Sequence, residues 1–333
     1  MLRIFHDTHY DFIRPWRIMV GVTVAFITIG IGSLALRGVR YGIDFTGGTL
    51  VQLRFTQPPD VGQLRSALDA GGVHEAEIQT FGSNRDFTVR AREAVRNEAQ
   101  AGSADSVSVH IDSVLSRRYG PGSYTIVRTE AVGPRVGGEL RRGALIAILI
   151  SFGVTLLYLA IRFEWRFGVA AVLATAHDIL TTLAFIKLLN LEISLTIVAA
   201  ILTVIGYSLN DTIIIFDRVR EDLRQKRPES LYATLNRAIN ETLPRSVMTH
   251  ATAFAATLAL WLFAGEVIRP FAWVMGFGIV TGTFSSIYVA GPVLLWIERR
   301  YPRDTGLRTA RKSPAPPARS GTRSRAPVAG ARG

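Results

Sequence analysis

The stretch Ile205–Arg218, IGYSLNDTIIIFDR, sets an amide and a carboxylate inside an apolar run that otherwise has the character of a membrane helix. On a helical projection with Thr203 at 0°, Gly206 falls at about 300°, Tyr207 at about 40°, Asn210 at about 340° and Asp211 at about 80°. These small or polar residues share an arc of about 140°, while Ile205, Leu209 and Ile213 point elsewhere. The pattern predicts a membrane helix with one polar, protein-facing side. Asp211 precedes Arg218 by seven residues, which places it roughly 10 Å inside the boundary. Asp217 sits nearly at that boundary and reads as a solvated end charge.

Outward from this stretch the chain has 333 residues, 48% hydrophobic and only 19% charged. Six apolar stretches, 17–36, 143–161, 167–189, 193–217, 245–265 and 270–297, come near the roughly 20 residues that a bilayer-spanning helix needs. A polytopic α-helical membrane protein with six transmembrane helices is therefore expected. The first stretch ends near a small-x-small pattern at Ser33-Leu34-Ala35, but it exceeds a signal-peptide core in length and reads as an uncleaved anchor.

Basic residues set the orientation. Arg3, Arg14 and Arg17 precede span one, Arg162 and Arg166 join spans two and three, and a dense group from Arg218 to Arg245 joins four and five. Arg299 and Arg300 follow span six, whereas the opposite turns, NLEI at 190–193 and GEVIR at 265–269, are poor in them. Residues 1–16 and both termini are thus expected in the cytoplasm, with the long polar insert 37–142 outside. The formal net charge of +12 is concentrated in the tail 298–333, where ten basic residues from 299 onward face the acid Asp304 and SPAPPARSGTRSRAP cannot form a core. This reads as a disordered cytoplasmic tail, with contact to anionic lipid or ribosomal RNA as the sharper alternative, and it does not call for a specific nucleic acid. The chain has no cysteine, which removes disulfides, thiolate metal sites and cysteine nucleophiles.

Within the insert, Gly48–Phe55 alternates as a strand, 60–70 is helical, and Glu75–Phe81 and Asp86–Ala91 are strands around a Ser83-Asn84 turn. Asp105–Tyr119 carries Val107, Ile111, Val114 and Leu115 at helical spacing, and Tyr124–Thr129 closes as a strand. The order β-α-β-β-α-β predicts a ferredoxin-like α+β domain between helices one and two. His74 and His110 lack spaced carboxylate partners and read as ordinary surface or packing residues, so no metal is expected.

Ionisable groups inside spans cost several kcal/mol when they face lipid, which makes each a candidate functional residue. Asp178 is central in the third span, on one narrow face with Thr175 and Thr182. For Asp211 a cation is the natural partner. Arg245, at the start of the fifth span in LPRSVMTHATAF, is the candidate, although it equally suits snorkelling to the headgroups; His250 is a weaker candidate for the same network. Gly276, Gly278 and Gly282 offer close helix approach in the sixth span. Leu231, Leu235, Ile239 and Leu243 recur every four residues in the loop 218–244, describing an amphipathic helix on the cytoplasmic membrane surface between Pro228 and Pro244.

YGIDFTGG at 41–48, EAVGPRVGGEL at 130–140, the His177-Asp178 pair, GYSLNDTIIIFDR at 206–218 and Arg245-Ser246 occur in an order that resembles the SecF group of the SecD/SecF family, within the RND superfamily. The resemblance covers about residues 15–300. It implies a subunit in the bacterial inner membrane that pairs with SecD beside the SecYEG channel and the ATPase SecA. Such a subunit uses the proton gradient to assist late export of preproteins, without enzymatic activity and with no cofactor besides protons. Position by position, it makes Asp211 the proton-relay carboxylate, Arg245 its paired cation and Asn210 the motif neighbour, with Asp178, Tyr207 and His250 as accessory polar residues. Gly42, Asp44, Gly47 and Gly48 match the family's signature at the root of the external domain.

Two rival classes share some of these features. Asp178 and Asp211 on neighbouring spans suggest an intramembrane aspartyl protease, but SLND is not the GxGD context of that class. An RND-type exporter of small molecules or lipids shares the proton logic but carries two six-span halves.

Overall fold

A computed structural model describes residues 8–73, 76–91, 104–225, 229–265 and 267–302. His74 and the basic tail from 303 onward lie outside them.

Helix α1 (Trp16–Arg37) is apolar along its length and ends at Gly38, whose N–H still reaches the Leu34 carbonyl at 2.9 Å. A single turn, α2 (Ile43–Thr46), leads into β1 (Gly48–Phe55), α3 (Val61–Ala70), β2 (Glu77–Phe81), β3 (Ser83–Ala91), α4 (Ala104–Tyr119) and β4 (Tyr124–Val132). The sheet is antiparallel throughout, in the order β2-β3-β1-β4. Its element order is the one expected from the sequence. The β2–β3 turn is tighter than the expected one, because Gly82 takes a φ of 80° and lets Phe81 pair with Ser83. Along β1 the side chains alternate, and Val51, Leu53 and Phe55 pack on Leu64 and Leu68 of α3 and on Ile111 and Leu115 of α4. Both helices cover this one face of the sheet.

The remaining helices are α5 (Pro134–Arg162), α6 (Trp165–Leu188), α7 (Leu195–Arg224), α8 (Leu231–Phe263), α9 (Arg269–Ser285) and α10 (Gly291–Arg300), the last two joined by a π-turn, Ser286–Ala290. Among the described residues, α1, α5, α6, α7, α8 and the continuous α9–α10 rod are the 6 helices long and apolar enough to cross a membrane. Helices α6, α7 and α9–α10 are about half buried and form the centre, while α1, α5 and α8 stand at the periphery.

Two sets of contacts define the two ends of the bundle. At one end the Tyr10 and Phe12 N–H groups donate to the side-chain oxygens of Asn240 and Asn236, both at 3.0 Å. Arg162 pairs there with Asp217 at 3.0 Å and Arg166 with Glu298 at 3.5 Å. At the other end, residues 40–44 meet 192–195 in the turn between α6 and α7.

Segment 218–244 differs from expectation. It is not a loop bearing its own surface helix, because α7 continues to Arg224 and α8 runs unbroken through Pro244. The apolar stripe explains the difference. Leu235 and Ile239 are fully buried in the core formed with Phe216, Val219, Leu294 and Ile297, so protein covers the face that was expected to lie on lipid.

The glycines of α9 divide into two kinds. Gly276 has ordinary room beside Phe254 and Thr257 of α8, with a Cβ 3.8 Å from each. Gly278 and Gly282 sit directly on α7, where a Cβ would overlap Val204 and stand 3.1 Å from the Ser208 Cα. Gly278→Leu is therefore expected to push α9 off α7 and cost about 1 to 3 kcal/mol, the range for overpacking a tight contact. Thermal unfolding in detergent checks this, with Gly276→Ala, expected near neutral, as the control.

Candidate functional site

The polar arc of α7 splits into two sides. Thr203, Gly206 and Asn210 are exposed on the outer surface of the bundle, whereas Ser208 and Asp211 are buried. Tyr207 lies between them; its hydroxyl donates to the Thr249 carbonyl at 3.3 Å, and its ring meets the His250 ring edge-on at 5.3 Å. Asp211, 2% exposed, faces α8. Its Oδ2 is 3.4 Å from His250 Nδ1, and Ser246 also faces the carboxylate. That imidazole nitrogen donates its shorter bond, 2.7 Å, to the Ser246 carbonyl one turn back, which places the proton on Nδ1. Asp211 Oδ1 is buried and has no hydrogen-bond partner among the described residues.

Asp178 presents the opposite arrangement. It is 1% exposed, and its Oδ1 lies 3.0 Å from His177 Nδ1. Its Oδ2 accepts from Ser208 of α7 and, at 2.6 Å, from Ser285 of α9. One carboxylate thus joins the three central helices. Beside it Thr212 of α7 and Ser286 share a hydrogen bond of 2.7 Å, so the π-turn begins where α9 meets these hydroxyls. Thr175 and Thr182 are buried with Asp178, as the narrow polar face predicts.

Arg245 is exposed, and among the described residues no ion pair joins it to Asp211. Helical geometry accounts for this: Ser246 and His250, four residues apart, share the face turned to α7, while Arg245 lies about 140° around α8 from His250. The partner that sequence ranked second is the one in contact. Asp217 is paired with Arg162 at 3.0 Å and Arg220 at 3.3 Å, in keeping with a charge at the helix-bundle end.

The signature at the root of the sheet domain is joined to the start of α7. Gly42 N–H donates to the Ile193 carbonyl and Ile193 N–H to the Arg40 carbonyl, both at 2.8 Å. Asp44 Oδ2 accepts from the Leu195 N–H at 2.8 Å. Gly47 and Gly48 carry φ values of 72° and 116°, which only glycine adopts readily, and so turn the chain from α2 into β1.

Residues 112–300 match the model of the C-terminal part of the protein export membrane proteins SecD/SecF, and residues 32–59 match the SecD/SecF GG motif. The chain is 63% identical over 313 residues to protein translocase subunit SecF of Gemmatimonas aurantiaca, covering 93% of this chain and 94% of that one. The chain belongs to the SecF group of the SecD/SecF family. To SecF of Desulfurispirillum indicum it is 43% identical, over 88% of this chain and 93% of that one. Among solved structures, the translocon-associated membrane protein SecDF of Thermus thermophilus matches with a TM-score of 0.79 and 36% identity over 88% of this chain. That match spans 39% of the longer SecDF chain. A SecDF crystal structure in a super-membrane-facing form matches with a TM-score of 0.64. As a SecF-family chain with six apolar helices of sufficient length, this is a multi-pass membrane protein. Its signature 41–48 falls in the GG-motif match, and Asp178, Asn210, Asp211 and Arg245 fall in the C-terminal match.

Two groups of residues around the candidate site are not legible in the sequence. Ser208, Ser246 and Ser285 belong to it, but a serine in an apolar helix normally bonds its own backbone, so only the neighbouring helix shows which ones act across. Asp222, also 2% exposed, pairs with Arg237 at 2.9 Å, and Arg218 pairs with Glu241 at 2.5 Å. These clamp α7 to α8 just beyond Asp211, on residues that look like loop when α7 is ended at 217.

Proposed function

We propose that this chain is an accessory subunit of the Sec protein translocase that uses the proton motive force to assist late steps of preprotein export. In this reading it works with SecD, beside SecYEG and SecA, in the bacterial cytoplasmic membrane. The termini are cytoplasmic, and the sheet domain, ferredoxin-like in its β-α-β-β-α-β order, lies outside. The grouping of Tyr10, Phe12, Arg162, Arg166 and the α7–α8 clamp at one end supports this orientation, because it gathers the basic turns on one side.

The observation that carries the proposal is the contrast between the two buried carboxylates. Asp178 has every oxygen engaged, whereas Asp211 keeps Oδ1 free. A proton on Oδ1 breaks no hydrogen bond, so Asp211 is built to gain and lose one. Ionised, it draws a cation across the surface of α8. His250 holds the contact in the present arrangement, and Arg245, next to Ser246, completes the pair by swinging across the helix. Neutralised, Asp211 releases that cation, and α7 and α8 repack. Proton entry from outside and exit to the cytoplasm make the repacking directional. The exposed stripe Thr203, Gly206 and Asn210 suits a small-residue, hydrogen-bonding helix contact, and we assign it to SecD.

Membrane vesicles containing this chain, SecD and the translocase, loaded with a trapped preprotein, test the proposal. Release is expected to depend on the proton gradient, and Arg245→Met to reduce the gradient-dependent part roughly tenfold, the effect of about 1.4 kcal/mol of lost coupling. Equal release with and without the gradient opposes the reading as a whole. Full release by Arg245→Met removes Arg245 from the mechanism and leaves His250 as the contact to Asp211.

A further inference from the structure

Among the described residues the insert meets the membrane helices where α2 packs on α5, a Cβ at Gly137 standing 3.0 Å from the Gly47 N, and at the α6–α7 turn below the sheet domain. A cavity of about 510 Å³ separates its polar face, with Gln52 and Thr88, from the helix ends near Thr196 and Pro270. The two parts meet at a joint along one side of that cavity. Its backbone part is the parallel bridge between Tyr41 and Ile193, held by the Gly42–Ile193 and Ile193–Arg40 bonds. Its ionic part centres on Glu192 in the α6–α7 turn, which pairs with Arg90 of β3, lies 3.3 Å from Arg40, and accepts from Gln79 of β2 at 3.0 Å. Glu77 of β2 joins the same cluster, 2.7 Å from Arg40 and 3.3 Å from Arg90. Burial pushes the Glu77 carboxyl up, and the opposing pull of Arg90, Arg40 and Gln79 outweighs it, leaving the group below the ordinary carboxylate range. The third part is the Asp44 carboxylate on the Leu195 N–H, a negative group placed at the positive end of α7.

What the joint grips is the helix that carries Asp211. Between Leu195 and Asp211 α7 has no proline and stays helical, which makes it a rod of roughly 24 Å. A shift of that rod at Asp211 reaches Asp44 at the rod's first residue and Glu192 in the turn just before its cap, and the charged contacts of Glu192 lead on to β2 and β3. We infer that Asp44, Glu192 and Arg90 are positioning residues for the transport step, forming a rigid coupling that carries the movement of α7 to the external sheet. The inference rests on the proton-relay reading of Asp211. It assigns the GG-motif region a mechanical task distinct from proton movement itself.

The test measures proton movement and preprotein release separately, in proteoliposomes with SecD and the translocase. Asp44→Ala with Glu192→Ala removes the charged links and leaves the backbone bridge. Gradient-driven release is expected to fall roughly tenfold, while proton uptake stays within about twofold of the parent. Asp44→Asn, which keeps an oxygen acceptor for Leu195, is expected to retain release. Because the chain has no cysteine, Tyr41→Cys with Ile193→Cys introduces a single disulfide across backbones that pair at roughly 5 Å. Oxidation of this pair in the double-alanine background is expected to restore release, and reduction to remove it again. Undiminished release by the double-alanine protein overturns the coupling, as does joint loss of release and proton uptake, or failure of the disulfide to restore. Proton uptake that persists in Asp211→Asn overturns the relay reading instead, so the two failures are distinguishable.

Discussion

Asp211→Asn is expected to abolish gradient-dependent preprotein release while leaving the protein folded. The substitution keeps the shape of the side chain and removes the only titrating oxygens at that position of α7. Among the described residues the parent carboxylate has one oxygen without a partner and its other contacts are His250 at 3.4 Å and Ser246, so the native bonding at stake is confined to those two groups. An amide that keeps its oxygen beside His250 sets its two N–H donors where Oδ1 has no partner among the described residues, a cost of about 1 to 3 kcal/mol for each donor left unpaired. Against this, a relay that cannot take up a proton has no cycle at all. Release in vesicles with an imposed gradient should fall to the level seen without one, a loss of roughly a hundredfold or more if the gradient supplies about 3 kcal/mol to the step. Accumulation and melting temperature in the membrane fraction should stay close to the parent. Gradient-dependent release at the parental rate in a folded Asp211→Asn protein would remove Asp211 from the mechanism.

Asp178→Ala should do the reverse and damage the fold first. Its carboxylate is the common acceptor for His177 on α6, Ser208 on α7 and Ser285 on α9. Removing it strands those donors at the most crowded point of the bundle, where Gly282 already packs on Ser208. Interhelical hydrogen bonds in membranes average only about 0.6 kcal/mol each, but bonds to a charged acceptor reach about 1.5 to 3 kcal/mol. Several of them sharing one buried carboxylate amount to about 2 to 4 kcal/mol. The expected result is a lower melting temperature in detergent and poor accumulation. Ser208→Ala and Ser285→Ala should show smaller losses that are not additive with Asp178→Ala, since all act on one network. An unchanged melting temperature for Asp178→Ala would mean that the three helices do not depend on this carboxylate. The pair of experiments also separates the roles of two residues that composition makes alike: both are acids buried in apolar helices.

That likeness shows where reading the sequence reaches its limit. Periodicity is enough to find the six apolar helices and the alternating β1 strand, because each depends on residues close together in the chain; the polar arc it marks on α7 is not one protein-facing side, since Thr203, Gly206 and Asn210 are exposed and Asp211 is buried. It was also enough to single out Asp178 and Asp211, since a carboxylate in an apolar run is conspicuous. The partners were harder. The reach of its side chain and the family resemblance favour Arg245 over His250, yet the face of α8 that turns inward is chosen by how Ser246, Leu235 and Ile239 pack. Segment 218–244 misled for a related reason. Its apolar stripe has the same spacing whether lipid or protein covers it, and only the position of α10 decides between them.

By itself the sequence determined the membrane class, the β-α-β-β-α-β order of the polar insert and the two acids worth testing, all consequences of local hydrophobic pattern and of the cost of placing charge in lipid. Tertiary structure alone decided that Asp178 is saturated with donors and Asp211 is not, that His250 rather than Arg245 stands beside Asp211, and that Asp44 accepts from the first N–H of the helix carrying Asp211. Hydrogen bonds and ion pairs between residues up to 151 positions apart make those distinctions. A bond of that kind is specified by the approach of two helices, and one helix's own residues carry no record of which neighbour will arrive.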